Sequence, residues 1–220
     1  MPSFVPPNFL PPRFAGENQI VGVGGMLKVD TLLAAYKQGI FPWPMTGQPL
    51  LWFCPPERAV LDFARLRVPE RLARLRRNTP LTVTIDRNFP AVIHACRSVR
   101  RPEARGTWIT PTIVRAYTQL HLAGYAHSVE VWNEAGALVG GLYGVAVGGV
   151  FSGESMFHTV SNASKLALLF LVDHLTARGG AWIDIQQLTP HMAALGACEI
   201  PREAFLDRLA EAQEADLTLF

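Results

Sequence analysis

Three polar side chains with the capacity for proton transfer or substrate binding occur in segments that otherwise consist of residues of the buried type. Glu154 lies in FSGESMF, at the end of an apolar strand and ahead of a helix. Asp184 and Gln186 lie two residues apart in the strand AWIDIQQ, so both are expected on the same face of that strand. Because burying such groups without partners costs about 1–3 kcal/mol each, we expect them to satisfy one another or to bind a substrate.

The order of the surrounding elements places these side chains at a junction. Asn162 is predicted to cap a helix that ends at Gly179, so the segment from Gly153 to Ser161 is expected to connect that helix to the preceding strand. From residue 80 onward, hydrophobic periodicity predicts a strand, two helices, three hairpin-linked strands, a helix, a strand and closing helices. This order resembles the acetyltransferase (GNAT-like) fold, an α+β fold with a central, mostly antiparallel sheet flanked by helices.

The first part of the chain has a different character. Residues 1–62 are predicted to form a small N-terminal domain, and residues 63–220 the acetyltransferase-like domain. A short helix is predicted between Asp30 and Gly39. The segment that follows it, GIFPWPMTGQPLLWFCPP, has too many prolines for a regular element and too many apolar residues for a simple linker. We therefore expect this segment to be a loop that packs on another part of the protein.

Composition excludes several classes of protein. With 220 residues, 49% hydrophobic and 17% charged, the chain can bury a substantial core. No apolar run reaches the roughly 18 residues of a membrane span, and the N-terminus lacks a signal-peptide pattern, so we expect a cytoplasmic protein without membrane association. Cys54, Cys96 and Cys198 are far apart, and neither a disulfide framework nor a metal site is predicted.

The net charge of +2 is unevenly distributed. Residues 57–105 contain twelve arginines and five acidic residues, a local surplus that favours a polyanionic partner. Within RLRVPERLARLRR, a short helix is predicted after Pro69, with Arg71, Arg74 and Arg77 on one side. The alternative is a helix face that is merely solvated, but arginine is the side chain best suited to bidentate phosphate contacts.

Long stretches of the chain resemble the leucyl/phenylalanyl-tRNA protein transferase family. The resemblance extends from about residue 24 to about residue 209. The matching stretches are AAYKQGIFPWP, LWFCPPERAVL, RGTWIT, AHSVEVW, VGGLYGV, FSGESMF, NASK, IDIQ and LGACEIPR. The resemblance implies that the protein moves leucine or phenylalanine from aminoacyl-tRNA to the N-terminal Arg or Lys of acceptor proteins, which marks them for degradation. It further implies a monomer without a cofactor, whose arginine-rich segment contacts the tRNA acceptor stem.

The resemblance also implies roles for individual residues. Asp184 and Gln186 would form the catalytic pair, in which the Gln186 carbonyl orients the attacking amine and Asp184 holds the Gln186 NH₂ group. Glu154 would bind an ammonium group, either of the aminoacyl moiety or of the acceptor. The remaining positions are an apolar pocket for the transferred side chain and aromatic residues that stack on the 3′-terminal adenosine. The pocket comprises Leu142, Phe151, Met156 and Leu171, and the aromatic residues are Tyr36, Trp43 and Trp108.

Two other classes of function are consistent with parts of the sequence. A coenzyme A-dependent N-acetyltransferase would share the fold, but the position of its pyrophosphate loop reads MFHTVSNASK, without a glycine. A non-catalytic module that binds tRNA or peptide would use the basic surface and the aromatic residues, but it would not need Asp184 and Gln186. The histidines, including His158 and His191, have no partner at a recognisable catalytic spacing and are interpreted as structural or hydrogen-bonding residues.

Overall fold

The structure, a computed structural model, describes residues 8–45, 47–99 and 107–220. Its strands form one sheet of three strands and one of seven. In chain order the strands are β1 (Ile20–Val23), β2 (Phe41–Trp43), β3 (Leu51–Phe53), β4 (Glu57–Asp62), β5 (Thr82–Ile85), β6 (Ala126–Trp132), β7 (Leu138–Val147), β8 (Val150–His158), β9 (Trp182–Gln186) and β10 (Cys198–Pro201). The small sheet has the order β1-β3-β2 and the large one β10-β4-β9-β8-β7-β6-β5.

The helices flank the large sheet, as the sequence predicts for an α+β protein. They are α1 (Val29–Tyr36), α2 (Glu70–Asn78), α3 (Phe89–Ser98), α4 (Pro111–Leu122), α5 (Ala163–Thr176), α6 (Pro190–Ala194) and α7 (Arg202–Glu214). Thr110 caps α4 through a hydrogen bond from the Ile113 N–H, as predicted. Asn162 precedes α5 in a left-handed conformation but makes no side-chain capping bond, so the predicted cap is wrong. No helix in the described ranges has the length and apolar character needed to cross a membrane.

The hydrophobic core lies on both faces of the large sheet. On one face, Tyr143 and Phe157 pack with residues of α1, α3, α4 and the small sheet. On the other face, Leu142 and Phe151 pack with the apolar side of α5, and Leu72 of α2 joins this second cluster. Tyr143 and Leu142 are neighbours in β7 and therefore face opposite sides. The sheet thus carries one packed helical layer on each side.

The proline-rich segment contains regular structure that the sequence analysis missed. Phe41–Trp43 and Leu51–Phe53 pair as antiparallel strands around a short loop. Pro42 is compatible with a strand because β2 lies at the edge of the small sheet, where a missing N–H breaks no ladder bond. Glu57–Asp62, which lies just before the boundary predicted after residue 62, pairs with β9 and β10 inside the large sheet. By strand pairing, the change of sheet falls between Phe53 and Glu57.

The large sheet is antiparallel except between β8 and β9. These two strands pair at Phe151–Ile183 and Ser152–Asp184, although β8 itself continues to His158. The predicted connection from Gly153 to Ser161 is therefore wrong in its first half, which is strand. Beyond Ser152 the two strands separate, and the gap between them leaves room for a cavity at their carboxyl ends.

Candidate active site

A cavity of about 1170 Å³ occupies the gap between β8 and β9 and reaches both faces of the sheet. Trp43 and Trp108 line it on the side of α3 and α4, and Leu168 and Leu171 of α5 line it on the other side. Eight of the predicted site residues line this one cavity: Trp43, Trp108, Leu142, Phe151, Glu154, Met156, Leu171 and Gln186. Residues that are as much as 143 positions apart in the sequence thus meet at one site, which the sequence could not show without the fold.

Asp184 has a different environment from the one predicted. Its carboxylate is buried and accepts hydrogen bonds from Arg58, with Nε 2.8 Å from Oδ1 and a terminal nitrogen 2.7 Å from Oδ2. It also accepts from the Ser152 hydroxyl at 3.0 Å and from the main-chain N–H of Gln186 at 3.0 Å. Asp184 does not line the cavity. Its contact with Gln186 is through the main chain and not through the side-chain NH₂ group, so Asp184 positions Gln186 from behind the cavity wall.

Arg58 is the functional residue that sequence reasoning missed, because it was counted in the basic segment as a surface charge. It is 1% exposed and lies between the rings of Phe41 and Phe205, whose centroids are 4.6 and 4.5 Å from the guanidinium carbon. Phe41 belongs to the small sheet and Phe205 to α7. A buried guanidinium needs a buried carboxylate to offset its desolvation, and Asp184 fills this role for Arg58. Because Phe41 and Phe205 enclose the guanidinium, the ion pair links both sheets and α7 directly behind the candidate site.

Gln186 ends β9 in a strained conformation. Its φ of +56° lies in the left-handed region, which residues other than glycine seldom adopt. The pairing of β4 with β9 shifts register between Ala59 and Val60, so that Ile185 is an extra residue opposite that step. In the amide orientation that satisfies its hydrogen bonds, the Gln186 nitrogen donates to the Gly153 carbonyl at 2.8 Å and to the Ile185 carbonyl at 3.1 Å. The amide is thereby fixed at the point where β8 and β9 separate. Such strain is found repeatedly at functional sites.

Glu154 follows Gly153 in β8 and lines the cavity. The Tyr36 hydroxyl donates to Glu154 Oε1 at 2.6 Å, and the Tyr117 hydroxyl is 3.5 Å from Oε2. The two hydroxyls are 2.6 Å apart. Burial raises the pKa of Glu154 to about 7, against the opposing effect of the Tyr36 hydrogen bond. A carboxylate with a pKa near neutrality can both bind a cation and exchange a proton in a working enzyme.

The three aromatic residues predicted to hold adenosine do not have equivalent positions. Tyr36 is 4% exposed within the core and does not line the cavity, so its ring is not available for stacking. Its contribution to the site is the hydroxyl that holds Glu154. Trp43 and Trp108 do line the cavity and stack on each other, with centroids 5.4 Å apart and planes at 21°. Their outer faces are therefore the surfaces that a base would contact.

The apolar wall of the cavity agrees with the predicted pocket. Leu142, Phe151 and Leu171 are almost completely buried beneath it, and Met156 is partly exposed. Leu168 and Met192 extend the same wall and were not predicted, because nothing in their spacing distinguishes them from other core residues. The pocket offers contacts with hydrocarbon and with a thioether, which suit a flexible or flat apolar side chain.

The arginines of the predicted basic helix lie on the protein surface. Arg71, Arg74 and Arg77 of α2 are all exposed. Arg74 forms a pair with Glu70 at 3.6 Å, an exposed contact of the kind that contributes little to stability. Arg76 of the same helix pairs instead with Asp173 of α5. The basic count made from the sequence also included Arg100, Arg101 and Arg105, which lie outside the described residues.

The seven-stranded sheet, with two central strands that separate around a cavity, gives the mostly antiparallel α+β fold that the sequence predicts. A sequence profile described as leucyl/phenylalanyl-tRNA protein transferase matches residues 60–210, and a profile described as the N-terminal domain of that transferase matches residues 25–56. The chain belongs to the leucyl/phenylalanyl-tRNA protein transferase family. The family resemblance predicted from the sequence is thus confirmed.

Individual proteins with this family name are similar to most of this chain. The leucyl/phenylalanyl-tRNA–protein transferase of Pseudoalteromonas atlantica is 48% identical over 207 residues, which are 93% of this chain and 88% of that protein. Its counterpart in Syntrophus aciditrophicus is 50% identical over 90% of this chain and 82% of that protein. Among solved structures, a GCN5-related N-acetyltransferase from Kribbella flavida has a TM-score of 0.40 at 15% identity, covering 76% of this chain and 58% of that one.

Proposed function

We propose that this protein transfers leucine or phenylalanine from an aminoacyl-tRNA to the N-terminal Arg or Lys of acceptor proteins, and so marks them for degradation under the N-end rule. The observation that carries the proposal is a single cavity in which Glu154 and Gln186 lie beside an apolar pocket and a partly buried tryptophan pair. The names of the relatives favour transfer from tRNA over the coenzyme A-dependent alternative.

The reaction does not require a strong base. The aminoacyl ester is already activated, and an α-amino group has a pKa of about 7.7–8.0, so a fraction is neutral at physiological pH. Holding the amine against the ester carbonyl can therefore supply much of the rate. In the proposed mechanism the amine nitrogen forms a bond to the carbonyl carbon, and the bond from that carbon to the ribose oxygen breaks.

Two protons have to leave the acceptor ammonium in this mechanism. The first passes to the Glu154 carboxylate, which lines the cavity and has a pKa near neutrality. The second passes from the attacking nitrogen, once it is bonded to the carbonyl carbon, to the departing ribose oxygen, so that the reaction ends with an amide and a free hydroxyl. The Gln186 amide oxygen accepts a hydrogen bond from the attacking amine and aligns it. Asp184 is a positioning residue in this account, because it acts through Gln186.

The transferred side chain and the terminal adenosine bind at two different parts of the cavity in this proposal. The transferred side chain enters the pocket formed by Leu142, Phe151, Met156 and Leu171. The outer face of the Trp43–Trp108 pair stacks on the terminal adenosine, a contact worth about 1–3 kcal/mol per base. We further infer a cytoplasmic monomer that requires no cofactor. The substrate ester supplies its own activation.

The proposal is tested by mixing the protein with labelled Leu-tRNA or Phe-tRNA and a peptide that begins with Arg. Label is expected in the peptide, and the same peptide with an acetylated N-terminus is expected to remain unlabelled. A matched reaction with labelled acetyl-coenzyme A tests the alternative. Label transfer from coenzyme A, with none from tRNA, would contradict the proposal.

The rate of transfer is expected to rise with pH through about 7, because Glu154 accepts a proton only after its own pKa has been passed. Tyr36→Phe removes the 2.6 Å hydrogen bond that favours the carboxylate, so the inflection should move to higher pH. Tyr117→Phe removes a 3.5 Å contact and should shift it less. Single-turnover rates measured from about pH 6 to about pH 9 would determine the inflections.

Glu154→Gln is the matched control for this profile. The inflection near 7 should disappear, while titration of the acceptor amine at about 7.7–8.0 remains. An unchanged inflection near 7 in Glu154→Gln would mean that another group controls the rate.

A further inference from the structure

The cavity has a basic end that the proposed chemistry does not use. It is formed where β8 and β9 end and α5 begins. His158, Ser164 and His191 line the cavity there, and Ser164 Oγ lies 3.3 Å from Nδ1 of His158. Lys165 follows Ser164 in the first turn of α5. We call His158, Lys165 and His191 the basic mouth, because His158 both lines the cavity and is exposed.

One ring nitrogen of His191 is available for a hydrogen bond to a ligand in the basic mouth. Its Nε2 atom is buried and makes no hydrogen bond to any described residue. Burial lowers the pKa of His191, and the positive charges of Lys165 and His158 lower it further, so the three side chains are close enough to interact. A buried nitrogen without a partner costs free energy that a ligand can recover. The neighbouring cationic groups favour a ligand with negative charge.

The features proposed for tRNA lie elsewhere. The arginine helix α2 contacts α5 through Arg76 and Asp173, and Asp173 is nine positions beyond Ser164, or about 13 Å along the helix. Trp43 and Trp108 belong to the core cluster on the opposite face of the sheet. The basic mouth is therefore separated from both surfaces that would hold the tRNA.

The route of the acceptor chain passes the mouth. Gln186 is the residue proposed to align the acceptor amine, and Gln187, Thr189 and His191 follow it along the same cavity wall. A chain whose N-terminus is held at Gln186 and which leaves along this wall advances about 3.4 Å per residue. Its second to fourth residues therefore pass the basic mouth.

We propose that the basic mouth binds an acidic side chain of the acceptor polypeptide at one of the positions that follow its N-terminal residue. This inference rests on the proposed transfer reaction and gives that reaction a preference for particular acceptors. Lys165 provides the charge, and His191 Nε2 provides a directed hydrogen bond. Acceptors that carry Lys or Arg at the same positions are disfavoured by repulsion.

The test uses the full-length protein, Phe-tRNA and peptides that begin with Arg and carry Glu, Gln or Lys at the second, third or fourth position. At one of these positions, kcat/KM is expected to be about tenfold higher for Glu than for Gln, a ratio that corresponds to one charge-assisted hydrogen bond. Lys165→Glu should reverse the order of the Glu and Lys peptides. His191→Leu should reduce the advantage of Glu over Gln.

Lys37→Glu is the matched control, since it changes the net charge equally on an exposed position after α1. It should leave the order of the peptides unchanged. Equal kcat/KM for the Glu, Gln and Lys peptides would overturn the inference while leaving the transfer reaction intact. A loss of Phe-tRNA binding in Lys165→Glu, with no effect on peptide preference, would also overturn the inference and would assign the mouth to a tRNA phosphate. If no peptide is labelled at all, the proposed function itself fails.

Discussion

Asp184→Ala is expected to destabilise the protein by about 3–5 kcal/mol, the usual cost of leaving one member of a buried ion pair without its partner. The Arg58 guanidinium lies between Phe41 and Phe205 at 1% exposure, so it has no route to water when the carboxylate is removed. Urea unfolding of parent and variant measures the difference directly. A loss below about 1 kcal/mol would mean that the pair is not buried in solution as it is in the structure.

The double variant Arg58→Met, Asp184→Leu separates stability from function. Buried ion pairs can often be replaced by apolar residues of similar volume with little loss of stability, so much of the lost stability should return. Transfer should remain slow, because the main-chain N–H of Gln186 has lost the carboxylate that fixes it at 3.0 Å. Recovery of both stability and rate would show that Asp184 only offsets the charge of Arg58.

The triple variant Arg71→Ala, Arg74→Ala, Arg77→Ala is expected to weaken aminoacyl-tRNA binding and to reduce its dependence on salt. Each phosphate contact that is lost changes the slope of log K against log salt by about 0.7–0.9, so three contacts change it by about 2–3. All three side chains are exposed, and among the residues that the structure describes their one ion pair is that of Arg74 with Glu70. Their removal should therefore have little effect on folding.

Two controls make this second result interpretable. An aminoacyl-adenosine analogue has no acceptor stem, so its affinity should be the same for the parent and the triple variant. Arg115→Ala removes an exposed arginine from α4 and should leave the salt slope for tRNA unchanged. If the triple variant retains the parent slope, α2 is only a solvated surface, and the stem binds elsewhere.

The sequence predicted those features that depend on local pattern or on long matching stretches. The Thr110 cap, the hairpin-linked strands and the family follow from residues that are near one another or occur in fixed order. The four residues predicted to form the apolar pocket line one cavity, and their role in binding the transferred side chain stays a prediction. What the local pattern could not supply was the way in which the strands of the sheet are paired.

Long-range pairing explains the errors. Arg58 was only counted among the arginines of residues 57–105, but β4 pairs with β9 and brings it against Asp184. Tyr36 was expected to stack on a base, but it lies within a core to which several separate segments contribute. The left-handed backbone of Gln186 is not encoded in the alternation of a strand either. It arises where a bulge ends the pairing.

The most direct test of the central claim, that Gln186 aligns the acceptor amine for attack on the ester, is single-turnover transfer by Gln186→Gly, with aminoacyl-tRNA affinity measured in the same samples. Glycine accepts the φ of +56° without strain, so this variant removes the amide while preserving the backbone. We predict a loss of rate of about 100-fold, the size expected when a reacting group is misplaced by about 1 Å, with tRNA affinity unchanged. Gln38→Ala, on an exposed surface after α1, should transfer at the parent rate. Transfer by Gln186→Gly at the parent rate would contradict the account.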